Sequence, residues 1–192
     1  PDLGRQVSRN LEAGARWHDR QWSLEATVFQ RRDEDLVDWT FRQGVTARTA
    51  NAVDLVTSGL ELVYTRRAER FDLVFGYSWL DKDADYRGAA VDGSFYALNF
   101  ARHRLTAAVV YRIASGLELR LDQEFRVQEG NPLRRGPDES ALAALAIAWR
   151  PESWRGLEMS LMVENLWDSR FEEVPAVPAA PRQYALGILW RW

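Results

Sequence analysis

The stretch Leu117-Glu118-Leu119-Arg120-Leu121-Asp122-Gln123-Glu124-Phe125-Arg126 decides the fold class. Leu117, Leu119, Leu121 and Phe125 fall on one side of an extended chain, while Glu118, Arg120, Asp122, Glu124 and Arg126 fall on the other. A period of two is that of a β-strand, whose successive side chains point to opposite faces. The same pattern returns at 71–79, with Phe71, Leu73, Phe75, Tyr77 and Trp79 sharing a face, and at 184–192, with Tyr184, Leu186, Ile188, Trp190 and Trp192 sharing one. Weaker alternation marks 10–18, 21–32, 55–66, 103–113, 140–150 and 156–167, which makes nine strands and no helix. Ala-rich 141–148 suits a helix by propensity alone, but the alternation of Leu145, Ile147 and Trp149 favours a strand.

The connections alternate in length. Short ones fall near 18–20, 66–69, 114–116 and 151–156, and long polar ones at about 33–54, 81–102, 127–139 and 168–182. Antiparallel strands of an outer-membrane barrel are joined in this way, by tight turns at one end and long loops at the other. The strand lengths also fit, because a tilted membrane strand needs about 9–11 residues. Eight of the nine tryptophans (Trp17, Trp22, Trp79, Trp149, Trp154, Trp167, Trp190 and Trp192) stand at or near strand ends, where interfacial aromatic girdles would put them.

Composition excludes several classes. A formal net charge of -3 lacks the basic excess of a nucleic-acid binder, so no nucleic-acid partner is expected. Zero cysteine removes disulfides and thiolate metal sites. No apolar run approaches the roughly 20 residues of a membrane helix. A mean hydropathy of -0.38 does not imply a soluble protein, since a membrane barrel alternates lipid-facing with water-facing residues and the two cancel. The chain opens Pro1-Asp2-Leu3 without an initiator Met, as a processed chain or a piece of a longer one would.

Several fragments, in order along the chain, resemble the carboxyl-terminal half of the barrel of TonB-dependent outer-membrane receptors, most like their cobalamin- and siderophore-receptor group. They are Pro1-Asp2-Leu3 with Leu11-Glu12-Ala13-Gly14, Ser58-Gly59-Leu60-Glu61-Leu62, Gly76-Tyr77-Ser78-Trp79-Leu80-Asp81, Arg102-His103-Arg104-Leu105 with Val110-Tyr111-Arg112, Val163-Glu164-Asn165-Leu166-Trp167-Asp168 and Phe171-Glu172-Glu173-Val174-Pro175. The alternate aromatics at the carboxyl terminus, Tyr184 to Trp192, resemble the terminal signature of such barrels, read by the barrel assembly machinery. Trp167 stands where the family has Phe, and 175–181 lacks its usual glycine.

This resemblance implies an all-β fold: an antiparallel transmembrane β-barrel of which residues 1–192 are about nine carboxyl-terminal strands of a larger, about 22-stranded barrel. Parity supports this, because a complete single-chain bacterial barrel has an even strand number. The plug, the TonB box and the first strands would lie outside the chain. The implied function is energy-coupled uptake of a scarce nutrient, such as a ferric siderophore or cobalamin, across the bacterial outer membrane. The implied partners are outer-membrane lipid, a small-molecule nutrient and TonB, which acts through the plug. A passive porin-like channel and a soluble β-sandwich binding or adhesion module remain open beside it.

No catalytic constellation stands out, and His18 and His103 fall at opposite ends of the expected barrel. No enzyme and no resident cofactor are expected, with one exception. Asp81, Asp83 and Asp85 have the spacing of a calcium loop with Asp92 at its twelfth position, although Tyr86 stands where that loop needs Gly. They read as a calcium site or as a solvated loop. For ligand contact the candidates are the long-loop groups Asp38, Trp39, Tyr86, Phe95, Tyr96, Arg134 and Arg135, since aromatics stack and Arg pairs with anions. Charged residues of the lumen face, among them Glu12, Glu61, Glu124 and Arg126, hydrate the lumen or contact a plug.

Overall fold

A computed structural model describes residues 5–45 and 47–191. Pro1-Asp2-Leu3 and Trp192, both singled out in the sequence, lie outside the described residues. The chain forms β1 (Val7–His18), β2 (Trp22–Phe41), β3 (Thr49–Arg67), β4 (Phe71–Asp85), β5 (Gly93–Ser94), β6 (Ala101–Ala114), β7 (Leu117–Gln128), β8 (Glu139–Trp149), β9 (Leu157–Glu164), β10 (Glu172–Val174), β11 (Val177–Pro178) and β12 (Gln183–Trp190). Nine of these make one continuous sheet in the order β1-β2-β3-β4-β6-β7-β8-β9-β12, every pairing antiparallel. Strand β5 pairs with β2, and β10 with β11. All nine alternating segments are therefore strands, the Ala-rich one included.

Register carries the alternation across the whole sheet. Leu121 stands opposite Val109 on one side and Leu145 on the other, Tyr77 opposite Leu62 and Leu105, and Leu161 opposite Ile147 and Leu186. One face is thus apolar from Leu11 to Trp190. It is left uncovered, with Leu11, Leu186 and Ile188 each at least two-thirds exposed. A soluble sandwich would bury such a face beneath a second sheet. Among the described residues no second sheet lies on it, which removes the β-sandwich reading.

Trp17, Trp22, Tyr64, Tyr111, Trp149 and Trp190 gather on this face at the end where the turns are short. Gly116 and Gly156 make two of those turns possible. Both have positive φ (72° and 88°), and a Cβ on either would collide with the backbone oxygen of the residue just past the neighbouring strand, Arg150 or Arg191.

The opposite face is polar. Ion pairs there run between neighbouring strands, Arg16–Glu25 (2.7 Å), Arg104–Glu124 (2.7 Å) and Arg150–Glu158 (2.9 Å) among them. Gln123 is a polar residue in the middle of the apolar face, between Leu121 and Phe125. Its Nε2 donates to the carbonyls of Leu142 and Glu124 (2.8 Å each), and its Oε1 accepts from the Trp167 indole (2.8 Å). With its amide satisfied in this way, Gln123 can stand in an apolar setting.

The first two long connections are shorter than the sequence suggests. Residues 33–41 and 49–54 continue β2 and β3, and 81–85 continue β4. The alternation is hidden by a β-bulge at Glu34-Asp35, where β2 carries one extra residue between Asp33, opposite Leu55, and Leu36, opposite Val53. Asp35 takes the left-handed conformation (φ 58°) that Asp tolerates better than most residues. Beyond the bulge the faces exchange, so Asp38 turns to the polar face and Trp39 to the other. The buried apolar residues Val53, Leu55, Ala97, Phe100 and Phe171 cluster where the long connections fold back onto the polar face.

Candidate functional site

The long connections build the site around Asp38, which the bulge aims inward. Its side chain is fully buried. One carboxylate oxygen accepts the Tyr86 hydroxyl (2.9 Å) and the Ala97 amide (3.3 Å), and the other accepts the Tyr96 amide (3.2 Å). Burial pushes the Tyr86 phenol far above its usual range and the adjacent Asp38 carboxylate adds to this, so Tyr86 stays protonated and donates. Lys82, the single lysine of the chain, extends from β4 toward this cluster and lies over the Phe100 ring (4.9 Å to its centre). Burial lowers its pKa against the opposing pull of Asp38 and Asp33.

Arg87 fastens the start of the same connection. It grips Asp54 with two nitrogens (2.7 and 3.1 Å) and reaches Asp35 with a third (2.8 Å). Asp92 accepts from the Gln43 amide (2.7 Å), and the Phe95 amide donates to the Trp39 carbonyl (3.0 Å). Residues 86–100 are therefore held along both sides.

Neighbouring connections are tied in through side-chain amides. Asn131 donates to the Ser94 carbonyl (2.8 Å), and Arg134 donates to Asn99 (2.7 Å), to the Glu129 carbonyl (2.6 Å) and to Asp138. Asn99 and Gln128 both donate to the Glu173 carbonyl (3.0 and 2.9 Å) in the last connection. Glu172 there accepts the amides of Arg135 and Ala176 (3.0 Å each), which lower its pKa.

Of the seven residues proposed for ligand contact, Asp38, Tyr86 and Tyr96 meet at one point, through the Asp38 carboxylate. Phe95 packs under the Arg48 guanidinium (4.2 Å to the ring centre), and Arg134 is buried among its partners. Trp39 faces away from Asp38, and Arg135 lies outside that meeting point, its backbone amide donating to Glu172. Exposed side chains are offered by Trp39, Tyr96 and Arg135. Sequence reasoning missed Lys82, Asn99, Gln128 and Asn131. Their signal was weak, a lone lysine and amides in polar loops, and the three amides act through contacts 35 or more residues away.

Asp81, Asp83 and Asp85 are not gathered in a loop. They lie along β4 on one face, where alternate residues stand roughly 6–7 Å apart. Calcium oxygens must converge within about 2.3–2.6 Å of one ion. Asp81 instead pairs with Arg102 (3.6 Å), and among the described residues no three His, Cys, Asp or Glu side chains are grouped to hold a metal.

Two cavities open on the polar face below the tied connections, of about 390 and 490 Å³, and Glu61 lines both. The first is edged by Arg104, Arg126, Asn99 and Gln128, the second by Glu12, Phe29 and Arg31. Water, a ligand or another protein segment could enter either, with charged groups of both signs to meet it.

The family model for the TonB-dependent receptor-like β-barrel matches residues 1–166. This chain belongs to that family. Solved structures share the fold of this TonB-dependent receptor barrel chain. The FrpB iron transporter from Neisseria meningitidis is 17% identical, with 98% of this chain and 32% of that chain covered and a TM-score of 0.71. The ferric-catecholate import receptor Fiu from Escherichia coli K12 is 18% identical, with 98% and 28% covered and a TM-score of 0.73. The ferripyoverdine receptor of the outer membrane of Pseudomonas aeruginosa is 13% identical, with 96% and 27% covered and a TM-score of 0.71. The barrel chain thus spans about a third or less of the length of each. No curated protein matches it.

Proposed function

We propose that this chain is part of the wall of a bacterial outer-membrane receptor that imports a scarce nutrient of the iron-chelate class. The family match over residues 1–166 carries this reading. The uncovered apolar face supports it as a lipid-facing surface, with the short turns toward the periplasm and the long connections outside. Ligand would be met at the outer connections, where Tyr96 and Arg135 are exposed, and would then pass along the polar face. Other strands would complete the barrel. Glu12 and Glu61, which have no ion-pair partner among the described residues, would face a plug that couples the receptor to TonB.

The test is uptake of radioactive iron chelates by cells carrying the intact receptor, with and without a protonophore. Accumulation that stops when the proton-motive force is dissipated is expected. Uptake that persists unchanged would overturn this reading in favour of a passive porin-like channel.

A further inference from the structure

We propose that the 165–182 connection is a strap folded into the receptor's interior and latched there by the Arg126–Glu173 ion pair, so that releasing the pair uncovers the wall behind it. The proposal rests on the receptor reading, and its test reads the strap's position independently of transport.

Both ends of the strap are gathered by one residue. Asn165, buried and with positive φ (47°), donates to the carbonyls of Ser169 (3.0 Å) and Ala180 (2.8 Å) and accepts the Ser169 amide (2.9 Å). The Ala179 amide closes the base on the Phe171 carbonyl (2.9 Å). Between these points β10 and β11 cross the polar face of the sheet. Val177 and Pro178 stand across a space of about 640 Å³ from Val74, Ala108 and Ala144. Volumes of this size take small ligands (about 300–1,000 Å³). A gap, not interlocked side chains, therefore separates the middle of the strap from the wall, and polar contacts hold the strap down.

Beside the Asn99 and Gln128 amides on the Glu173 carbonyl (3.0 and 2.9 Å), the charged contact with the strap is made by Arg126. Its side chain is 8% exposed, is held by Glu124, and lies over the Phe171 ring (5.4 Å to its centre). It meets Glu173 at 2.9 Å, and the Glu173 side chain is 63% exposed. The two partners are unequal. Arg126 keeps Glu124 if Glu173 leaves, whereas Glu173 has water waiting for it. The latch opens from the Glu173 side, and an anionic group entering from outside could take that carboxylate's place on Arg126.

This chain contains no cysteine, so it adds no background thiol to a reporter. Ala144→Cys is placed in the intact receptor in outer membranes, and its reaction with a membrane-impermeant maleimide is timed. In the Glu173→Gln background labelling is expected to be at least fivefold faster, with the heat-dependent gel shift of intact barrels retained. A second reporter, Val45→Cys on an exposed connection, should label at one rate throughout. An unchanged rate at 144 with Glu173→Gln, or an equal acceleration at 45, overturns the proposal. Altered labelling in a protein that imports no iron would retain the strap and discard the iron reading.

Discussion

Removing the Asp38 carboxylate leaves the Tyr86 hydroxyl and the amides of Tyr96 and Ala97 without their acceptor in a buried setting. Each stranded donor costs about 1–3 kcal/mol unless water reaches it. The Asp38→Ala variant is therefore expected to free residues 86–100 while the barrel strands stay paired. Hydrogen exchange at Tyr96 and Ala97 should rise by at least tenfold, with amides of β7 and β8 unchanged. Loss of protection throughout the sheet would show that Asp38 supports the strands as well. The sequence marks Asp38 as a polar loop group suited to ligand contact. Its burial is hidden because the bulge at Glu34-Asp35 exchanges the faces of β2, and a one-residue slip of alternation looks the same as the end of a strand.

At the scale of the connections, two carboxylates link loop order to pH. The Arg87 guanidinium bonded to Asp54 holds that acid below the ordinary carboxylate range, and the Arg135 and Ala176 amides do the same for Glu172. A carboxylate with a depressed folded pKa stabilises fully above its unfolded pKa, near 4, and loses that contribution as pH falls through the folded value. Exchange protection of residues 86–89 and 172–176 should thus hold from pH 7 to about 5 and decline below about 4. Arg87→Gln should flatten this response at 86–89 alone; a parallel loss at 172–176 would show that the two ties are not independent. The strands themselves were legible in the sequence, because Leu117–Arg126 and its counterparts need only a period of two. The strap was not, since its course depends on Asn165 and Arg126 meeting partners that no local pattern announces.

Across the whole molecule, nine antiparallel strands leave β1 and β12 running in the same direction, each paired on one side among the described residues. The two cannot join one another by antiparallel pairing, and open edges are not tolerated in lipid. The receptor reading supplies further strands between them. It also places Trp17, Trp22, Trp149 and Trp190 in one interfacial belt. With the intact receptor in bilayers of brominated lipids and these four as its only tryptophans, bromine near the glycerol level should quench fluorescence more than bromine at the chain ends. Equal quenching at both depths would remove the belt.

The shared anchorage of the outer connections also limits how such a surface can diversify. Residues 86–100 are bonded to 41–43, 131–134 and 173, so grafting that one segment from a relative would bring in contacts with no counterparts. Exchange between relatives is workable when the connections travel as a set. Single substitutions are tolerated at tip residues such as Val45 and Ala89, which are exposed and take no part in the knot, and antibodies or phages that bind those tips would exert selection without disturbing what lies beneath.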